Sequence, residues 1–535
     1  MAYRIILLSG QVCAGKTTLA KLLSERFGAV HFKSGEALRL IKPGVPVERR
    51  ALQEAGEALD RETRGQWVRD ALMKRLESCE LDCVCVLDAV RISEQIDAVR
   101  LSYGARVLHV HLAAPREILE TRYHLRPAGP IKELKSYDEV VENTTEAEVS
   151  RLAARADVLI STERCEPDDV LLRVAAQCGL FGKSYDRCVD VLVGGQWGSE
   201  GKGQVSAYLA PEYEVLVRVG GPNAGHCVHM EPSPYTYRLL PSGTRANPKA
   251  AIILASGIIL DIDVLRREIA DCEVDADRLS IDPQAMIATQ ADKEQEAVEE
   301  YQKSFGSTAQ GVGVATARRI LDRKIDRTKL TIAENVPELK PFLRPVREVL
   351  DERFRKGHRV LLEGTQGTGL SLYHGDYPFV TSRDTTVAGC LAEAGVSPSR
   401  VRRVVMVCRS YPIRVAGHSG PMGIELTWEE IARRSGVPLE ELRKTEKTST
   451  TKRDRRVAEF GWKQLRQAAS LNAPTDIALT FVDYLDVRNR DARRVEQLTD
   501  DTRRFIEEVE RVAMAPVSLM STRFHSTGII DRRRW

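Results

Sequence analysis

The chain has 535 residues, of which 43% are hydrophobic and 29% are charged, and its net charge is +3. This length predicts two or three domains, and the composition is that of a globular protein. A net charge so close to zero argues against a dedicated nucleic-acid-binding protein, in which a basic face dominates the affinity. We therefore expect no nucleic acid among its partners.

The cysteines and the apolar runs indicate the cellular compartment. The 11 cysteines are dispersed without paired metal-ligand spacing, and the short apolar N-terminus runs directly into a glycine loop. An odd cysteine count without a signal peptide is typical of a reducing cytoplasm. No apolar run approaches the roughly 20 residues that span a bilayer. We predict a cytoplasmic protein with no membrane partner.

Two segments share one local pattern, in which an apolar run is followed by a glycine-rich turn and a helical stretch. The apolar runs are residues 4–9 and 189–193. A buried strand that enters such a turn offers backbone N–H groups to phosphate. The repeat predicts two nucleotide-handling domains, residues 1–182 and 186–535. Strands and helices alternate in both, which predicts an α/β fold class: two P-loop-related domains with mainly parallel sheets flanked by helices.

The first glycine loop matches the P-loop pattern G-x-x-x-x-G-K-[ST] in full, with Gly10 and Gly15 as its glycines. The pattern predicts that Lys16 reaches the β- and γ-phosphates and that the Thr17 hydroxyl binds magnesium. The alternative is a glycine turn with a structural lysine.

Other residues of the first domain resemble small nucleoside-monophosphate-type kinases. A strand ends in Asp88, where a carboxylate could hold magnesium or its water shell. Arg122 and Arg126 are four residues apart, so both could lie on one helical face and close over the transferred phosphoryl group. A solvated helix surface is the alternative for this pair. The acceptor stays open, as does a domain that is kept as a sensor without kinase activity.

The second glycine loop, GGQWGSEGKG at 194–203, departs from the ordinary P-loop. Gln196 replaces the first glycine, and Gly203 replaces the metal-binding Ser or Thr. The loop resembles the Q-W-G-D-E-G-K-G loop of adenylosuccinate synthetases. Further blocks follow in that family's order, so that the resemblance covers nearly all of the chain beyond residue 186. They are residues 219–228, 239–243, 306–313, 361–370, 374–386, 448–456 and 478–486.

The resemblance implies an ATP- or GTP-dependent carbon–nitrogen ligase of purine nucleotide biosynthesis. In that family, the γ-phosphoryl of a nucleoside triphosphate is transferred to O6 of a purine monophosphate, and the amine of L-aspartate then displaces phosphate. Magnesium and oriented donors offset the charge on the transferring group. The implied partners are therefore small molecules, with Mg²⁺ as cofactor and GTP or ATP as phosphoryl donor.

The resemblance also assigns roles to single residues. Lys202 would hold the phosphates, and His226 would donate a proton or hydrogen bond to the developing charge. One of Arg318 or Arg319 would reach the phosphate across a dimer interface, which implies a homodimer. The complete set comprises Ser199, Lys202, His226 and Gln366 (catalysis); Ser199 and Gly225 (metal); Gly198, Glu200, Gly201, Gly203, Arg455 and Asp483 (triphosphate); Asn223, Thr308, Arg318, Arg319 and Thr381 (monophosphate); and Thr450, Thr451 and Arg453 (aspartate).

Several positions depart from the family pattern. Ser199 stands where the family has its catalytic aspartate, and Phe481 replaces a lysine beside the guanine-reading Asp483. Gln310 replaces an arginine, and the segment after Asp486 is short. A serine removes bulk and charge near N1 of the purine, which makes room for a 2-amino group.

Together these departures resemble a phage branch of the family that converts a guanine deoxynucleotide into an N6-succinyl precursor of 2-aminoadenine. GMP or dGMP is therefore one candidate acceptor. IMP or dIMP with another group as base, or another 6-oxopurine, are the alternatives. A second hypothesis, from a different class, is a catalytically inactive nucleotide-binding regulator. Modification of a nucleic acid ranks lowest, because the sequence has no basic groove or aromatic stacking platform.

Overall fold

The computed structural model describes residues 4–79, 83–126, 136–142, 148–181, 186–231, 233–300, 306–323, 326–448, 453–525 and 527–535. The chain divides into two compact units, Met1–Phe181 and Gly182–Trp535, called here the first and the second unit. Within the described ranges, no helix has the length and apolar character needed to cross a membrane.

The first unit is built on a five-stranded parallel sheet with the order β2-β3-β1-β4-β5. Ile5 and Leu7 of β1 lie in one buried cluster and Ile6 and Leu8 in another, so both faces of the sheet are covered. The strands are β1 (Arg4–Ser9), β2 (Val30–Lys33), β3 (Val84–Asp88), β4 (Val107–Ala113) and β5 (Val158–Ser161). The helices are α1 (Lys16–Phe27), α2 (Ser34–Ile41), α3 (Arg49–Thr63), α4 (Gln66–Leu76), α5 (Ser93–Tyr103), α6 (Arg116–His124), α7 (Tyr137–Val141) and α8 (Pro167–Gln177).

The second unit is built on a larger sheet with the order β12-β10-β7-β14-β6-β15-β19-β20-β21. Its neighbouring strands run parallel except β20 and β21. The strands of the unit are β6 (Val189–Gly194), β7 (Val215–Arg218), β8 (His226–Val228), β9 (Tyr235–Tyr237), β10 (Ala251–Leu254), β11 (Ile259–Leu260), β12 (Leu279–Ile281), β13 (Met286–Ile287), β14 (Val360–Glu363), β15 (Val401–Arg409), β16 (Ile413–Val415), β17 (Glu425–Leu426), β18 (Arg455–Ala458), β19 (Asp476–Thr480), β20 (Val517–Ser521) and β21 (Ile529–Asp531).

Helices of the second unit flank this sheet. They are α9 (Lys202–Leu209), α10 (Ile262–Asp271), α11 (Gln290–Val298), α12 (Val312–Leu321), α13 (Val346–Arg355), α14 (Val387–Ala394), α15 (Trp428–Ser435), α16 (Leu439–Thr445), α17 (Trp462–Asn472) and α18 (Asp500–Ala513). Side chains of β6 alternate between two buried clusters, with Val191 and Val193 in one and Leu192 in the other. The predicted α/β class with mainly parallel sheets flanked by helices is thereby confirmed.

Each glycine loop follows a central strand of its sheet and leads into a helix. In the first unit Gly10 has a φ of 134°, and a Cβ there would lie 2.2 Å from the carbonyl oxygen of Leu112. Only glycine fits such a close approach. Helix α1 then begins at Lys16, and in the second unit α9 begins at Lys202. Both loops lie at the carboxyl ends of parallel strands, where open α/β sheets bind ligands.

Candidate active site

The second glycine loop, residues 194–203, is the predicted phosphate loop of the second unit, and the Glu200 side chain braces it from inside. Its carboxylate accepts hydrogen bonds from the backbone N–H groups of Gly198 at 2.8 Å and of Gln196 at 3.2 Å. Lys202 Nζ lies 2.5 Å from Glu200 Oε2, and both side chains are almost fully buried. Gly198 and Gly201 have φ values of 94° and 92°, which favour glycine. The Glu200 side chain thus fixes the conformation of the loop and the position of Lys202.

The departure of this loop from the ordinary P-loop has a steric reason at Gly203. A Cβ at this position would lie 2.8 Å from the Cβ of His226 and 3.3 Å from Ser242 Oγ. The Ser or Thr of an ordinary P-loop would therefore collide with the first residue of β8. Glycine here lets His226 approach the helix that follows the loop.

His226 is held by a buried charged network that was not predicted from the sequence. Its Nδ1 contacts Glu363 Oε1, and Arg218 Nη1 lies 3.0 Å from the same oxygen. Ser242 Oγ and N–H donate to Glu363 at 2.5 and 2.7 Å, and Ser206 Oγ donates at 2.8 Å. Glu363 ends β14 and Arg218 ends β7, and the two residues are in register in neighbouring strands. A charged residue at the end of each of two apolar runs is the signal that could have found them.

The electrostatics of this network set the protonation of His226. Burial raises the pKa of Glu363, but Arg218 and His226 outweigh it and lower that pKa to about 2. Burial and the charge of Arg218 lower the pKa of His226 to about 4, although Glu363 opposes them. An ionised carboxylate only accepts, so Nδ1 carries the hydrogen of the ring. Nε2 therefore donates only when the ring is protonated.

A cavity of about 1020 Å³ opens beside the phosphate loop. The buried atoms Asn223 Oδ1, Gln366 Oε1 and Trp197 Nε1, from residues lining it, have no hydrogen-bond partner in the part of the chain that is described. Such atoms favour a polar ligand, since unpaired buried polar groups are costly. The cavity brings together these sequence-predicted residues: Gly198, Ser199, Lys202, Asn223, Gly225, His226, Thr308, Arg318, Gln366, Thr381 and Arg453.

Ser199 lies against a cation. Arg455 donates from Nη2 to Ser199 Oγ at 3.3 Å and from Nη1 to Glu446 at 2.9 Å. Glu446 also accepts from Arg409 at 2.8 Å and from the Tyr484 hydroxyl at 2.8 Å. Burial raises the pKa of Glu446, but the two arginines outweigh it and lower that pKa to about 2. The hub residue Glu446 and its partner Arg409 were not predicted from the sequence.

The predicted aspartate residues are only partly within the described chain. Thr450 and Thr451 lie outside it. Arg453 donates from its backbone N–H to Thr448 Oγ1 at 2.8 Å and from Nη2 to the carbonyl of Ala416 at 3.0 Å. Both Thr448 and Arg453 line the cavity. The base of the predicted aspartate loop therefore lies at this cavity.

The two candidate phosphate arginines make different contacts, and only one of them lines the cavity. Arg318 lines the cavity, where Asp292 accepts from it at 2.7 and 3.1 Å. Arg319 donates to the carbonyl of Gln284 at 2.8 Å and does not line that cavity. Two further predicted residues, Arg455 and Asp483, also lie outside its lining. Asp483 is buried, and burial raises its pKa to about 6 although Arg490 opposes this shift.

The first unit brings together the residues of a second candidate phosphate site. Lys16 Nζ donates to the carbonyls of Gly10 and Gln11 at 2.7 and 2.8 Å, and Thr17 Oγ1 donates to Asp88 at 2.8 Å. Burial raises the pKa of Asp88, but the neighbouring His31, Lys16 and Thr17 outweigh it, so the pKa is lowered. An ionised carboxylate beside a hydroxyl offers the hard oxygen donors that magnesium prefers.

The expected arginine pair of the first unit is not on one helical face. Helix α6 ends at His124, so Arg126 lies beyond it. Arg122 donates to the hydroxyl and carbonyl oxygens of Thr162 at 3.0 and 2.6 Å, and so ties α6 to the end of β5. The spacing argument was wrong because it assumed that the helix continues to Arg126.

The residues expected to bind metal in the second unit offer weaker ligands than Thr17 and Asp88 of the first unit. Ser199 and Gly225 both line the cavity, and they offer a hydroxyl and a backbone carbonyl. Among the described residues, no group of three or more His, Cys, Asp or Glu side chains is placed to hold a metal ion. The available donors are oxygens, which suit magnesium when substrate phosphates complete its shell.

Comparison with known proteins identifies the second unit. The profile of the family described as adenylosuccinate synthetase matches residues 191–335 and 320–490. The adenylosuccinate synthetase of Pyrococcus horikoshii is 36% identical over 350 residues, which are 64% of this chain and 98% of that relative. That of Methanocaldococcus jannaschii is 35% identical over 64% of this chain and 96% of that relative. The short segment after Asp486 therefore does not set the chain apart from these relatives.

Two solved structures share the fold. The fully ligated adenylosuccinate synthetase from Plasmodium falciparum superimposes with a TM-score of 0.57 at 20% identity, over 65% of this chain and all of that one. The succinoaminodeoxyadenylate synthetase of cyanophage S-2L was solved with dGMP and with dATP as an energy donor. It gives a TM-score of 0.53 at 26% identity, over 65% of this chain and 96% of that one. The family profile covers more than half of the chain, and the archaeal relatives are matched over almost their whole length. The chain therefore belongs to the adenylosuccinate synthetase family.

Proposed function

We propose that the second unit joins L-aspartate to C6 of a guanine nucleotide, GMP or dGMP, and not of IMP. The observation that carries this proposal is Ser199, whose hydroxyl accepts a hydrogen bond from Arg455. At this position the resemblance expects the carboxylate that takes the N1 proton. A hydroxyl beside a cation leaves space and an acceptor for a 2-amino group. The cyanophage relative, bound to dGMP, supports the same assignment.

Other carboxylates of the cavity are poorly placed to replace that base. Asp292 is paired with Arg318, and Glu296 accepts from the backbone N–H groups of Gly311 and Gly313 at 2.8 Å. These two acids, together with Asp322 at the C-cap of α12, line the α11–α12 end of the cavity. Burial raises the pKa of Asp292, but Arg318 and Thr289 outweigh it and lower that pKa, so Asp292 is a weak base. We therefore assign the N1 proton to solvent, and the positive charges of Arg455 and Lys202 stabilise the purine anion that remains.

The proposed reaction follows the chemistry of the family, whose members use Mg²⁺ and GTP. The purine O6 attacks the γ-phosphoryl of the donor, and the bond between that phosphorus and the bridging oxygen breaks. The aspartate amine then attacks C6, and phosphate leaves with O6. Lys202 and the loop N–H groups stabilise the charge on the phosphoryl group, and His226 in its protonated form donates from Nε2 to the developing charge. Arg453 binds a substrate carboxylate through its guanidinium fork.

An acceptor panel tests the proposed substrate. Purified full-length protein is given aspartate, magnesium and either ATP or GTP with IMP, dIMP, GMP or dGMP, and the succinyl adduct is detected by mass. We expect an adduct from GMP or dGMP. With Ser199→Asp we expect activity on IMP to rise about 10²-fold and activity on the guanine nucleotide to fall, because a positioned base contributes about 10²- to 10⁴-fold.

Ser199→Ala is the matched control, because it keeps the space for a 2-amino group but removes the hydroxyl. It should retain the preference for the guanine nucleotide. Wild-type activity on IMP alone would contradict the proposed acceptor. Nucleotide binding without any adduct would favour a catalytically inactive regulator.

We propose that the first unit transfers a phosphoryl group to a nucleoside monophosphate. Support comes from Lys16, Thr17 and the ionised Asp88, which meet at the carboxyl end of β1 and β3. This arrangement has the parts that phosphoryl transfer needs: a lysine for the phosphates and oxygen donors for magnesium. A purine monophosphate of the same pathway is the proposed acceptor.

We propose a homodimer in which Arg319 completes the acceptor site of a second copy. Arg319 does not line the cavity of its own chain, and the neighbouring Ile320 is 60% exposed. The Arg318 of the same cavity is already neutralised by Asp292. Arg319→Ala should raise the KM for the monophosphate at least about tenfold, since a charged hydrogen bond contributes about 1.5–3 kcal/mol. A wild-type KM, or a monomer in sedimentation, would contradict the proposal.

A further inference from the structure

One buried carboxylate lies behind two walls of the cavity of the second unit. Glu446 is the C-cap of α16 and lies just before the predicted aspartate loop, residues 448–456. Its almost fully buried carboxylate accepts from Arg455 Nη1 at 2.9 Å, from Arg409 Nη2 at 2.8 Å and from the Tyr484 hydroxyl at 2.8 Å. Glu446 does not line the cavity itself. Any effect that it has on the reaction must therefore pass through the groups that it holds.

The first wall contains Ser199, which the two arginines of Glu446 hold from two sides. Arg455 Nη2 donates to Ser199 Oγ at 3.3 Å, and Arg409 Nη1 donates to the Ser199 carbonyl at 3.4 Å. Ser199 has a φ of 55°, in the left-handed region that residues with a Cβ rarely adopt. Such a conformation persists only where the surrounding contacts fix it. The position of the Ser199 hydroxyl therefore depends on two cations that share one carboxylate.

The second wall is formed by the two ends of the predicted aspartate loop. The Thr448 N–H donates to the Arg453 carbonyl at 2.8 Å, and both residues line the cavity. The next residues outward form an antiparallel bridge. Glu446 and Arg455 are the third pair outward, and their side chains form an ion pair at 2.9 Å. This ion pair therefore closes the base of the loop.

We infer that Glu446 is a positioning residue of the ligase, because it holds Arg455 both at the base of the aspartate loop and against Ser199. The Arg455 guanidinium is a rigid plane, so its Nη1 bond to Glu446 sets the direction of its Nη2 bond to Ser199. Among the described residues, Glu446 is the only carboxylate that contacts Arg455 or Arg409. An aspartate at position 199 would add a second carboxylate, whereas Ser199 leaves both cations dependent on Glu446. This inference rests on the proposed ligase function and adds a residue that acts from behind its site.

Glu446→Gln tests the inference, because it keeps the size of the side chain and removes its charge. In the full chain we expect the KM for L-aspartate to rise about tenfold or more and kcat to fall, since charge-assisted hydrogen bonds at the loop base are lost. The KM for the nucleoside triphosphate should stay within about threefold, because Lys202 is held by Glu200. Glu430→Gln is the matched control. Glu430 also contacts two arginines, but at the surface on α15, so its loss should leave all three constants within about threefold.

Ser199→Asp tests the connection between the two walls. It places a second carboxylate beside Arg455, so that this arginine no longer depends on Glu446 alone. In the Ser199→Asp background, Glu446→Gln should raise the KM for aspartate at least about threefold less than in the parent chain, because residues of one charged network are energetically coupled. Each variant is assayed with the monophosphate from which it forms an adduct. Equal increases in both backgrounds would show that Glu446 acts independently of Ser199, and would overturn the inference.

Glu446→Asp covers the case in which Glu446→Gln does not fold, because it keeps the charge on a side chain too short to hold both arginines at their present distances. We expect its KM for aspartate to rise in the same direction, and a crystal structure of the variant to show Arg455 Nη2 displaced from Ser199 Oγ. Wild-type kinetics in the folded variants, or an unchanged contact between Arg455 and Ser199, would overturn the inference. The crystal structure needs no turnover, so it decides the inference even where no monophosphate gives an adduct. Failure of the proposed function therefore appears in the adduct panel, and failure of the inference appears in the contact between Arg455 and Ser199.

Discussion

Lys202→Met is expected to lower the ligase kcat/KM by about 10²- to 10³-fold while phosphoryl transfer by the first unit continues. In the proposed reaction the lysine supplies a positive charge at the transferring phosphoryl group, and removing one such donor from a preorganised site costs about this much. Lys16→Met should give the reciprocal result, because Lys16 belongs to a different loop in a different unit. Both activities are measured on the same full-length proteins. One assay detects the succinyl adduct, and the other follows a labelled γ-phosphoryl into a panel of monophosphates.

A folding control is needed because Lys202 is paired with a buried carboxylate. Its removal leaves Glu200 without its cation, and breaking a buried pair costs about 3–5 kcal/mol. Lys202→Met combined with Glu200→Gln removes both charges and should recover much of the stability but none of the ligase activity. Loss of both activities in either single lysine variant, with intact folding, would contradict the division of labour between the two loops.

The parts of the molecule that were predictable from the sequence are local. The loop before α1 and the loop before α9 each place a strand, glycines and a lysine within about twenty residues, so one segment carries its own signal. The alternation of strands and helices likewise predicts covered parallel sheets. Gly203 shows the limit of this approach. Its departure from the P-loop pattern was visible, but the reason for it, contact with His226, belongs to the fold.

The unpredicted residues depend on contacts between distant segments. Glu363 is 137 positions from His226 and 145 from Arg218, and only the register of β14 beside β7 brings them together. Phe524 reaches Phe481 in the same way, through the loop after β20. The sequence predicted which positions bind phosphate. It did not identify the buried charges that orient them, because a charged residue at a strand end also fits a simple solvated terminus.

Arg122 illustrates a different error, in which the sequence predicted a helical pair that the structure does not form. A spacing of four residues suggested a helical pair with Arg126, but α6 ends first and the Arg122 guanidinium binds the Thr162 carbonyl. Helix ends are set by the packing of the segments that follow, which a spacing rule does not contain. A sequence pattern can therefore identify the residue types of a site and still predict their relative positions wrongly.

Glu363→Gln is expected to lower ligase activity by about 10²-fold or more and to destabilise the second unit. The carboxylate holds His226 Nδ1–H, whereas an amide can present its own N–H to Nδ1 and favour the other tautomer. A comparable exchange in a catalytic triad costs about 10⁴ in kcat. The substitution also leaves the buried Arg218 without a carboxylate, which should cost about 3–5 kcal/mol. Steady-state kinetics and thermal unfolding at one pH measure the two effects.

The pH dependence of stability separates the contributions of this network. In the folded protein the pKa of Glu363 is lowered from 4.5 to about 2, so its stabilisation is present above pH 4.5 and is lost as the pH falls toward 2. The pKa of His226 is lowered from 6.5 to about 4, so the unfolded chain gains its proton first and stability already falls below pH 6.5. Both effects therefore destabilise the wild-type fold on acidification.

In Glu363→Gln the part of the loss between pH 4.5 and 2 that comes from Glu363 should disappear, whereas the part that comes from Glu446 remains. The loss below pH 6.5 should remain or deepen, because the carboxylate that favours the charged ring is gone. Glu363→Asp keeps the charge with a shorter reach and should retain the wild-type direction over both ranges. Unfolding curves that are parallel for wild type and Glu363→Gln across both ranges would show that the carboxylate does not control His226. Unchanged activity would remove it from the positioning of the ring.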